Sequence, residues 1–441
     1  MSNSKKDQSF ISARAFISAI LVIAVLMVIT YIATLLIPCE GLPFWKWLLS
    51  PFLVLGGEDM VTLIGLMIFL LIVGAVFNSL DQSGMMKYML DVLTDRFKTS
   101  RYKLMAVLIA FFMGMGSLIG CFEEVVPLVP IVTALAVRLG WDALTGLSMS
   151  LLSVGCGFAA GVFNPFTVGA AQTIAGLPMF SGAWFRFISF VCIYALLFTF
   201  VRAHAKKIDK GDEGIISDDF VRDPKKEKGL IAFAVILGIG ILIVFASAVI
   251  TALQDYTFVI VALTFLIAGT TASLISGMKK EKLMKSSVTG LINMLPAIIM
   301  ILMASSIKYT LQTAGALDTI LNAAISLAQG LPAWAIILFI YLLVLIMNFF
   351  IASGSAKVIL LMPILLPIAK AFGISPQLTI LAFAFGDGFS NVFYPTNAAL
   401  LISLGLSNIK YGKWFKYCGV FQLLNLLLTS LLLLLGLAIG V

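Results

Sequence analysis

The stretch GCFEEVVPLVP, Gly120 to Pro130, holds two adjacent glutamates, Glu123 and Glu124, in otherwise apolar surroundings. The whole chain is similarly apolar, because 61% of its 441 residues are hydrophobic and only 11% are charged. A soluble domain carries about 25% charged residues. Apolar segments of about twenty residues, the length of a membrane-spanning helix, recur throughout the sequence. The composition therefore predicts an all-α polytopic membrane protein, in which the two glutamates must be sheltered from lipid.

Lysine and arginine residues predict how the spans are oriented, because the cytoplasmic loops of membrane proteins are rich in both. The basic clusters lie at the N-terminus, within 81–103, within 202–228, at 279–282 and at 410–416. All of them fall on one side if the chain has nine spans and two re-entrant hairpins. This places the N-terminus inside and the C-terminus outside. The expected location is the cytoplasmic (inner) membrane of a bacterium. The net charge of +8 follows from this bias, so the expected partner is the lipid bilayer and no nucleic acid.

A polar segment at 202–228 is predicted to be a cytoplasmic linker between two halves. The first half, 1–201, is predicted to contain scaffold spans within 14–80, a surface helix at 81–103, a hairpin at 104–140, a broken span at 142–176 and a span at 184–201. The second half, 229–441, is predicted to contain scaffold spans within 229–308, a hairpin at 332–372, a broken span at 375–408 and a span at 418–440. The tip of the first hairpin is expected near Cys121 to Glu124, and Lys5 and Lys6 are expected in the cytoplasm.

The two halves share a sequence pattern at an offset of 230 to 233 residues. Asn164 corresponds to Asn397, and the hexapeptide GAWFRF at 182–187 corresponds to GKWFKY at 412–417. An odd number of predicted spans separates equivalent elements, so the repeats are predicted to be inverted. Inverted repeats with helices that break near the midplane are the construction of secondary transporters, whose substrate site lies at the repeat interface.

Both broken spans carry helix-breaking residues at matching positions. The first contains NPFT at 164–167, and the second contains GDG at 386–388 and PTN at 395–397. Proline removes a backbone donor and glycine permits unwinding. Such irregular backbone persists at membrane depth only where it lines a cavity, and the N-terminal ends of half-helices attract anionic groups. The breaks are therefore predicted to line a substrate site.

Lys357 corresponds to Glu124 at the offset of 233. A lone charge at the bilayer centre costs about 2.5–3.5 kcal/mol on insertion scales, so these charges are expected to find partners. Lys357 is predicted to pair with Glu123, Glu124 or Asp387, to neutralise a substrate carboxylate, or to occupy the place of a coupling cation. The three acids are the candidates to carry protons or to bind Na⁺. The candidate substrate-binding residues are Glu123, Glu124, Asn164, Pro165, Thr167, Ser353, Gly354, Ser355, Lys357, Asp387, Asn391, Thr396 and Asn397.

These assignments have structural alternatives. The two glutamates would cap the second hairpin arm through the helix dipole, Lys357 would snorkel to an interface, and the two asparagines would satisfy unwound backbone.

Four other polar residues are interpreted as structural or solvated. Arg186 and Lys416 are predicted at membrane interfaces beside Trp184 and Trp414, and His204 is predicted in a solvated loop. No His/Cys cluster can be assembled from the sequence, so no cofactor or bound metal is expected. Na⁺ is considered only as a possible coupling ion.

Several motifs resemble those of a known transporter family. They are Glu123-Glu124 followed by Pro127 and Pro130, Gly140-Trp141-Asp142, Asn164-Pro165-Phe166, Ser353-Gly354-Ser355, Met362-Pro363, Gly388-Phe389-Ser390-Asn391, Pro395-Thr396 and Tyr411-Gly412-Lys413-Trp414. In these the chain resembles the YfcC-type branch of the C4-dicarboxylate anaerobic carrier family, which is grouped in the ion transporter superfamily with the divalent-anion symporters. The resemblance implies a homodimer, a scaffold with a mobile transport domain, and elevator-type alternating access. It also implies that hairpin tips and broken helices form the substrate site. Lys357 departs from the small or polar residue expected after the serine-glycine motif.

The expected function is secondary active transport of a small carboxylate-bearing metabolite, an amino acid or a C4-dicarboxylate, coupled to Na⁺, to H⁺ or to exchange. A channel is the alternative, but it would need a continuous polar pore lining. An intramembrane aspartyl protease is a remote third, because its chemistry needs two aspartates in one site and no membrane-embedded partner for Asp387 is evident. We therefore expect no enzymatic activity.

Overall fold

The computed structural model describes residues 13–57, 60–120, 122–178, 180–209, 222–247, 257–317, 319–320, 323, 326, 330–351 and 353–441. Lys5, Lys6, Cys121 and part of the predicted linker, 210–221, lie outside the described residues. Every regular element within the described ranges is a helix, as the composition predicts.

The first half contains ten α-helices in the described ranges. They are α1 Ala13–Leu36, α2 Phe44–Leu53, α3 Met60–Gln82, α4 Met85–Phe97, α5 Arg101–Gly114, α6 Val129–Arg138, α7 Ala143–Leu147, α8 Ser153–Ala160, α9 Ala170–Ile174 and α10 Ala183–Ile208. Wider π-helical turns at Met115–Ile119, Ser148–Leu152 and Pro165–Gly169, and a 3-10 turn at Glu123–Leu128, extend or link these helices. We call residues 101–138 the first hairpin and residues 143–174 the first broken helix, whose break is 161–164.

The second half contains nine α-helices in the described ranges. Its described helices are α11 Pro224–Ser247, α12 Thr257–Ile275, α13 Lys280–Asn293, α14 Leu295–Thr313, α15 Ala333–Phe350, α16 Gly354–Ala371, α17 Pro376–Asn391, α18 Ala398–Leu406 and α19 Tyr411–Ile439. We call residues 333–371 the second hairpin and residues 376–406 the second broken helix, whose break is 392–397. A hairpin, a broken helix and a long helix thus follow one another in both halves.

Length and composition make many of these helices able to cross a membrane. Within the described residues, eight stretches are long and apolar enough, namely Leu63–Gln82, Arg101–Leu118, Ala143–Ile174, Ala183–Ile208, Lys280–Thr313, Ala333–Phe350, Gly354–Ala371 and Tyr411–Ile439. The first broken helix differs from the rest because 94% of its most apolar window is buried inside the protein. It therefore lies at the centre of the fold and not against lipid.

Two long helices extend further than the predicted spans. The predicted span at 184–201 corresponds to α10, which continues to Ile208, and the predicted span at 418–440 corresponds to α19, which begins at Tyr411. The extra residues of α10, RAHAKKI at 202–208, contain neither glycine nor proline. Helical hydrogen bonding can therefore continue past the apolar segment, and the segment between the halves is shorter than 202–228.

Helix α4 lies within the segment predicted as a surface helix, and its apolar face is buried in the protein. Met85, Met86 and Leu90 are each exposed by 5% or less, and Met85 approaches Gly229 of α11. The methionines that recur at helical spacing thus pack against neighbouring helices.

The two broken helices cross in direct contact. A Cβ at Gly388 of α17 would lie 2.4 Å from Cα of Ala159 in α8, so only glycine permits this approach. The last turns of α8 and α17, just before the two breaks, are therefore held side by side.

Candidate functional site

A fully buried ion pair lies at the centre of the second half. Nζ of Lys357 is 2.5 Å from Oδ1 of Asp387, and both side chains are 0% exposed. Lys357 is in the first turn of α16, and Asp387 is one turn before the end of α17. Of the three acids considered as partners of Lys357, the structure pairs it with Asp387. Removing either partner would leave the other charge buried and unpaired, which is strongly unfavourable.

The tip of the second hairpin contacts both broken helices. A Cβ at Gly354 would lie 2.8 Å from Oδ2 of Asp387 and 3.0 Å from Cγ2 of Thr167, so the tip requires glycine there. Ser353 caps this end of α16, since its Oγ accepts a hydrogen bond from the Ala356 amide. Because Thr167 belongs to the first broken helix, residues from both halves of the chain meet beside the ion pair.

Asn348, in the first arm of the second hairpin, joins the second broken helix in a buried polar network. Its Nδ2 is 3.1 Å from the carbonyl oxygen of Asp387, 2.6 Å from Oγ of Ser390 and 3.0 Å from Oδ1 of Asn391. Oδ1 of Asn391 also accepts a hydrogen bond from Nδ2 of Asn397 at 3.2 Å. The network therefore links the backbone beside the ion pair to residues on both sides of the second break.

The first break is held by the first hairpin and by α10. Oγ of Ser117 accepts from the Val162 amide, and the Ser117 carbonyl accepts from the Phe163 amide, each at 3.0 Å. Nε and Nη2 of Arg186 each lie 3.3 Å from the Val162 carbonyl oxygen. Nη2 also donates to the Phe180 carbonyl, and Nη1 lies 3.4 Å from Oε1 of Gln377. Backbone groups that the break exposes are thus paired with neighbouring elements.

The two asparagines that the repeat pairs, Asn164 and Asn397, cap the helices that follow the breaks. Oδ1 of Asn164 accepts from the amides of Phe166 and Thr167, at 3.0 Å and 3.3 Å. Oδ1 of Asn397 accepts from the Leu400 amide at 3.2 Å. Both act as N-caps, which satisfy amides that a helix start leaves unpaired.

Several buried polar atoms around these contacts lack a hydrogen-bond partner among the described residues. They are Nδ2 of Asn164, Oγ1 of Thr167, Oδ1 of Asn348, Oδ2 of Asp387 and Oγ1 of Thr396. Buried polar atoms are paired in the great majority of cases. Their grouping near the breaks therefore marks a place suited to a polar ligand.

The two adjacent glutamates are half-buried and face different surroundings. Glu123 interacts electrostatically with Lys357 and Asp387. Glu124 lines a cleft between the first hairpin and helices α11 and α12, and its Oε2 accepts a hydrogen bond from the Phe122 amide at 3.0 Å. The structure therefore brings Glu123, but not Glu124, towards the ion pair.

The remaining candidates occupy the edge of the site. Ser353 and Ser355 are exposed, with their hydroxyl oxygens 3.4 Å apart, and Pro165 is half-buried in the turn after the first break. Asn391 and Thr396 are buried in the second broken helix and its break.

The predictions for Arg186 and His204 are wrong. Arg186 is only 2% exposed and lies inside the protein. His204 lies in α10, where its Nε2 is 3.2 Å from Oδ2 of Asp142 and its ring is 4.7 Å from the ring of Tyr417. Arg186 lies on the face of α10 that is turned towards the protein, and α10 continues past the predicted span to include His204. The position of these residues in the sequence does not reveal either arrangement.

Asn348 and Ser117 belong to the site but are absent from the sequence-based candidates. Asn348 is the one side-chain amide in the apolar helix α15. Asp387 is a candidate because polar residues at membrane depth are expected to be functional, and the same rule selects Asn348. Ser117 lies 231 positions earlier in the corresponding hairpin arm. Serine is common in membrane helices, so this residue gives no comparable signal alone.

Comparison with known proteins finds similarity over most of the chain. A sequence model of the family described as DcuC, C4-dicarboxylate anaerobic carrier, matches residues 53–438. The "Putative basic amino acid antiporter YfcC" of Escherichia coli is 28% identical over 380 residues, which cover 82% of this chain and 75% of that protein. An "Uncharacterized protein" of Haemophilus influenzae is 23% identical over 391 residues, which cover 85% of this chain and 76% of that protein.

Two solved structures of transport proteins show a weaker overall likeness. The YdaH transporter of Alcanivorax borkumensis has a TM-score of 0.46 at 18% identity, with 97% of this chain and 99% of that chain covered. MtrF of Neisseria gonorrhoeae, from a class of antimetabolite efflux pumps, has a TM-score of 0.44 at 17% identity, with 94% of each chain covered.

Proposed function

This chain belongs to the C4-dicarboxylate anaerobic carrier family, and we propose that it moves a small carboxylate-bearing metabolite across the cytoplasmic membrane by alternating access. Members and relatives of this family are transporters and not enzymes. The observation that carries the proposal is the buried pair of Lys357 and Asp387, at the point where a hairpin tip contacts both broken helices.

The ion pair provides a site for a carboxylate. Lys357 lies in the first turn of α16, so its ammonium group and the positive end of the helix dipole favour an anion at the same place. A substrate carboxylate that binds Lys357 replaces Asp387 as the counterion. Asp387 must then receive a positive partner or a proton, because an unpaired carboxylate is costly when buried.

The two classes of substrate would give the Asp387 carboxylate different partners. An α-amino acid brings its own ammonium group, which can bind Asp387 while its carboxylate binds Lys357. A dicarboxylate brings no cation, so Asp387 must bind a proton or a Na⁺ ion when the substrate enters. The relative in Escherichia coli carries the name of a basic amino acid antiporter, and this favours the amino acid. In the proposed cycle, the hairpins and broken helices move together against the scaffold, and exchange or an ion supplies the driving force.

The test measures uptake and counterflow in proteoliposomes, with L-arginine, L-glutamate and succinate as probes, with and without Na⁺. Lys357→Met should abolish transport of every active probe. Asp387→Asn should impair an amino acid far more than succinate, because the amide cannot pair with an ammonium group. Lys370→Met is the matched control, since Lys370 is exposed at the other end of the same helix.

Two results would contradict the proposal. Wild-type uptake by Lys357→Met would remove the ion pair from the site, and a flux that neither saturates nor supports counterflow would indicate a channel. Thermal unfolding of each variant in detergent separates loss of transport from loss of folding. The double variant Lys357→Met/Asp387→Asn should unfold closer to the parent than either single variant, because no unpaired charge remains.

A further inference from the structure

Glu124 faces a cleft that lies outside the proposed substrate site. The cleft separates the first hairpin from helices α11 and α12. Met115, Glu124 and Leu128 line it from the hairpin, and Leu237, Val261 and Phe265 are among the residues that line it from the scaffold.

Among the described residues, Glu124 is the one ionisable side chain that lines this cleft. Helix α12, Thr257–Ile275, has no charged residue, and the charged residues of α11 lie in its first turns, at 225–228. Leu237 is nine residues beyond them, which is about 14 Å along a helix. The described parts of these two helices therefore offer no countercharge where they face Glu124.

Apart from the Phe122 amide, which donates to Oε2 of Glu124, the other described elements at the hairpin tip do not supply a partner either. Residues 148–152 and helix α18 pack against the 3-10 turn and contain no charged side chain. Helix α6 contains one charged residue, Arg138, which pairs with Asp91. Glu123, the neighbour in sequence, is itself an acid and interacts with the Lys357 and Asp387 pair. One backbone hydrogen bond does not replace the hydration of a carboxylate, so an ionised Glu124 also needs water in an open cleft.

We propose that Glu124 is a proton-controlled gate between the first hairpin and the scaffold, distinct from the substrate site. When Glu124 is ionised, the cleft stays open, because closing it would place a carboxylate against the apolar side chains of α11 and α12. When Glu124 binds a proton from water, the neutral carboxylic acid can be covered and the hairpin can move along the scaffold. The proton returns to water when the cleft opens again. This inference rests on the proposed function, because it assumes that the hairpin moves.

The test measures closure of the cleft without any substrate. Leu128→Cys and Leu237→Cys, on opposite sides of the cleft, are introduced into a protein whose five native cysteines are replaced by serine. The reconstituted protein is oxidised with copper phenanthroline, and the disulfide between the two cysteines is quantified at several pH values. Because thiol oxidation itself becomes faster as thiols ionise, the measured quantity is the yield relative to that of a Glu124→Gln variant at the same pH.

The relative yield should rise as the pH falls from about 9 to about 5, by up to about tenfold per pH unit where one proton is bound. Glu124→Gln stays neutral, so the pH dependence of its yield should reflect thiol oxidation alone. Lys370→Met, an exposed position in the second hairpin, is the control and should keep the pH dependence of the parent. Equal pH profiles for the parent and Glu124→Gln would overturn the proposal, and so would the lack of a disulfide in both.

A second measurement separates this proposal from the proposed function. Glu124→Gln should bind L-arginine or succinate, whichever probe the parent transports, with unchanged affinity, while its transport rate loses the pH dependence of the parent. Loss of probe affinity in Glu124→Gln would place Glu124 in the substrate site and overturn its role as a separate gate. Wild-type transport by Lys357→Met would refute the proposed substrate site and leave the disulfide result intact.

Discussion

The two broken helices expose backbone carbonyls at corresponding places and pair them with different donors. In the first break, the Val162 carbonyl accepts from Nε and Nη2 of Arg186, each at 3.3 Å. In the second break, the Val392 carbonyl accepts from Nε1 of Trp414 at 2.8 Å. Arg186 lies at the start of α10 and Trp414 at the start of α19, the long helices that follow each broken helix. The same structural requirement is met by a cation in one half and by a neutral indole in the other.

The two breaks also differ in the charged residues that lie near them. The second broken helix contains Asp387, paired with Lys357 from the neighbouring hairpin, whereas the first broken helix, 143–174, has no charged residue. Arg186 has only neutral acceptors among the described residues, and they include the carbonyl just beyond the C-terminal end of α8. The negative end of a helix dipole stabilises a cation there. The charge at the first break thus has a structural role, whereas the charges near the second break belong to the proposed substrate site.

The largest effect is expected from removing the cation at the first break. Arg186→Met keeps most of the side-chain volume but leaves the Val162 and Phe180 carbonyls without these donors. The free energy of unfolding should fall by about 3 kcal/mol, since buried groups without partners cost about 1–3 kcal/mol each. Arg186→Lys should recover less than half of that loss, because a lysine lacks the planar fork of donors. Denaturant unfolding in detergent measures both.

Lys206→Met serves as the control for this variant, because Lys206 is an exposed cation on the same helix. An Arg186→Met protein as stable as Lys206→Met would show that the first break does not depend on the cation. The comparison between the two breaks would then lose its physical basis.

The sequence pattern predicts that the hexapeptides at 182–187 and 412–417 are equivalent, and it aligns Arg186 with Lys416. In the structure Lys416 is exposed, and Trp414 takes the place that Arg186 has in the first half. The donors are therefore two positions out of register with the sequence alignment. Two positions rotate a side chain by about 200° around a helix, so matching sequences present different faces. A repeat in sequence predicts corresponding helices but not which side of each helix faces the break.

Other parts of the site could be predicted from the sequence to different degrees. The break at 161–164 follows from Gly161 and Pro165 and the break at 392–397 from Pro395, but the prediction that Gly386 and Gly388 break the second span is wrong, because both lie inside α17. Lys357 and Asp387 stand out because charges at membrane depth need partners. Which acid pairs with Lys357 depends on how α16 and α17 pack, so the sequence leaves three options open. Glu124 follows the same rule as Asp387 but faces another helix pair, and only the three-dimensional arrangement separates their roles.

A smaller effect is expected at the second break. Trp414→Phe keeps an aromatic ring, although a smaller one, in the buried place and removes the Nε1 donor from the Val392 carbonyl. The free energy of unfolding should fall by about 1–2 kcal/mol, less than for Arg186→Met, because a single neutral hydrogen bond is lost. Trp184→Phe is the control, since Trp184 is 56% exposed and should change stability by less than about 0.5 kcal/mol. A loss for Trp414→Phe that equals the loss for Arg186→Met would mean that charge makes no difference between the breaks.

The smallest loss of stability is expected from removing the two N-caps, Asn164 and Asn397, which occupy corresponding places in the two halves. Asn164→Ala and Asn397→Ala should each cost about 1 kcal/mol, as is usual for an N-cap. The caps differ in their connections, because Nδ2 of Asn397 donates to Asn391 whereas Nδ2 of Asn164 has no partner among the described residues. Combined with Asn391→Ala, the Asn397 variant should therefore be non-additive by about 0.5 kcal/mol or more, whereas the Asn164 variant should be additive. Additivity in both double variants would show that the second cap acts alone, and the polar network beside the ion pair would then end at Asn391.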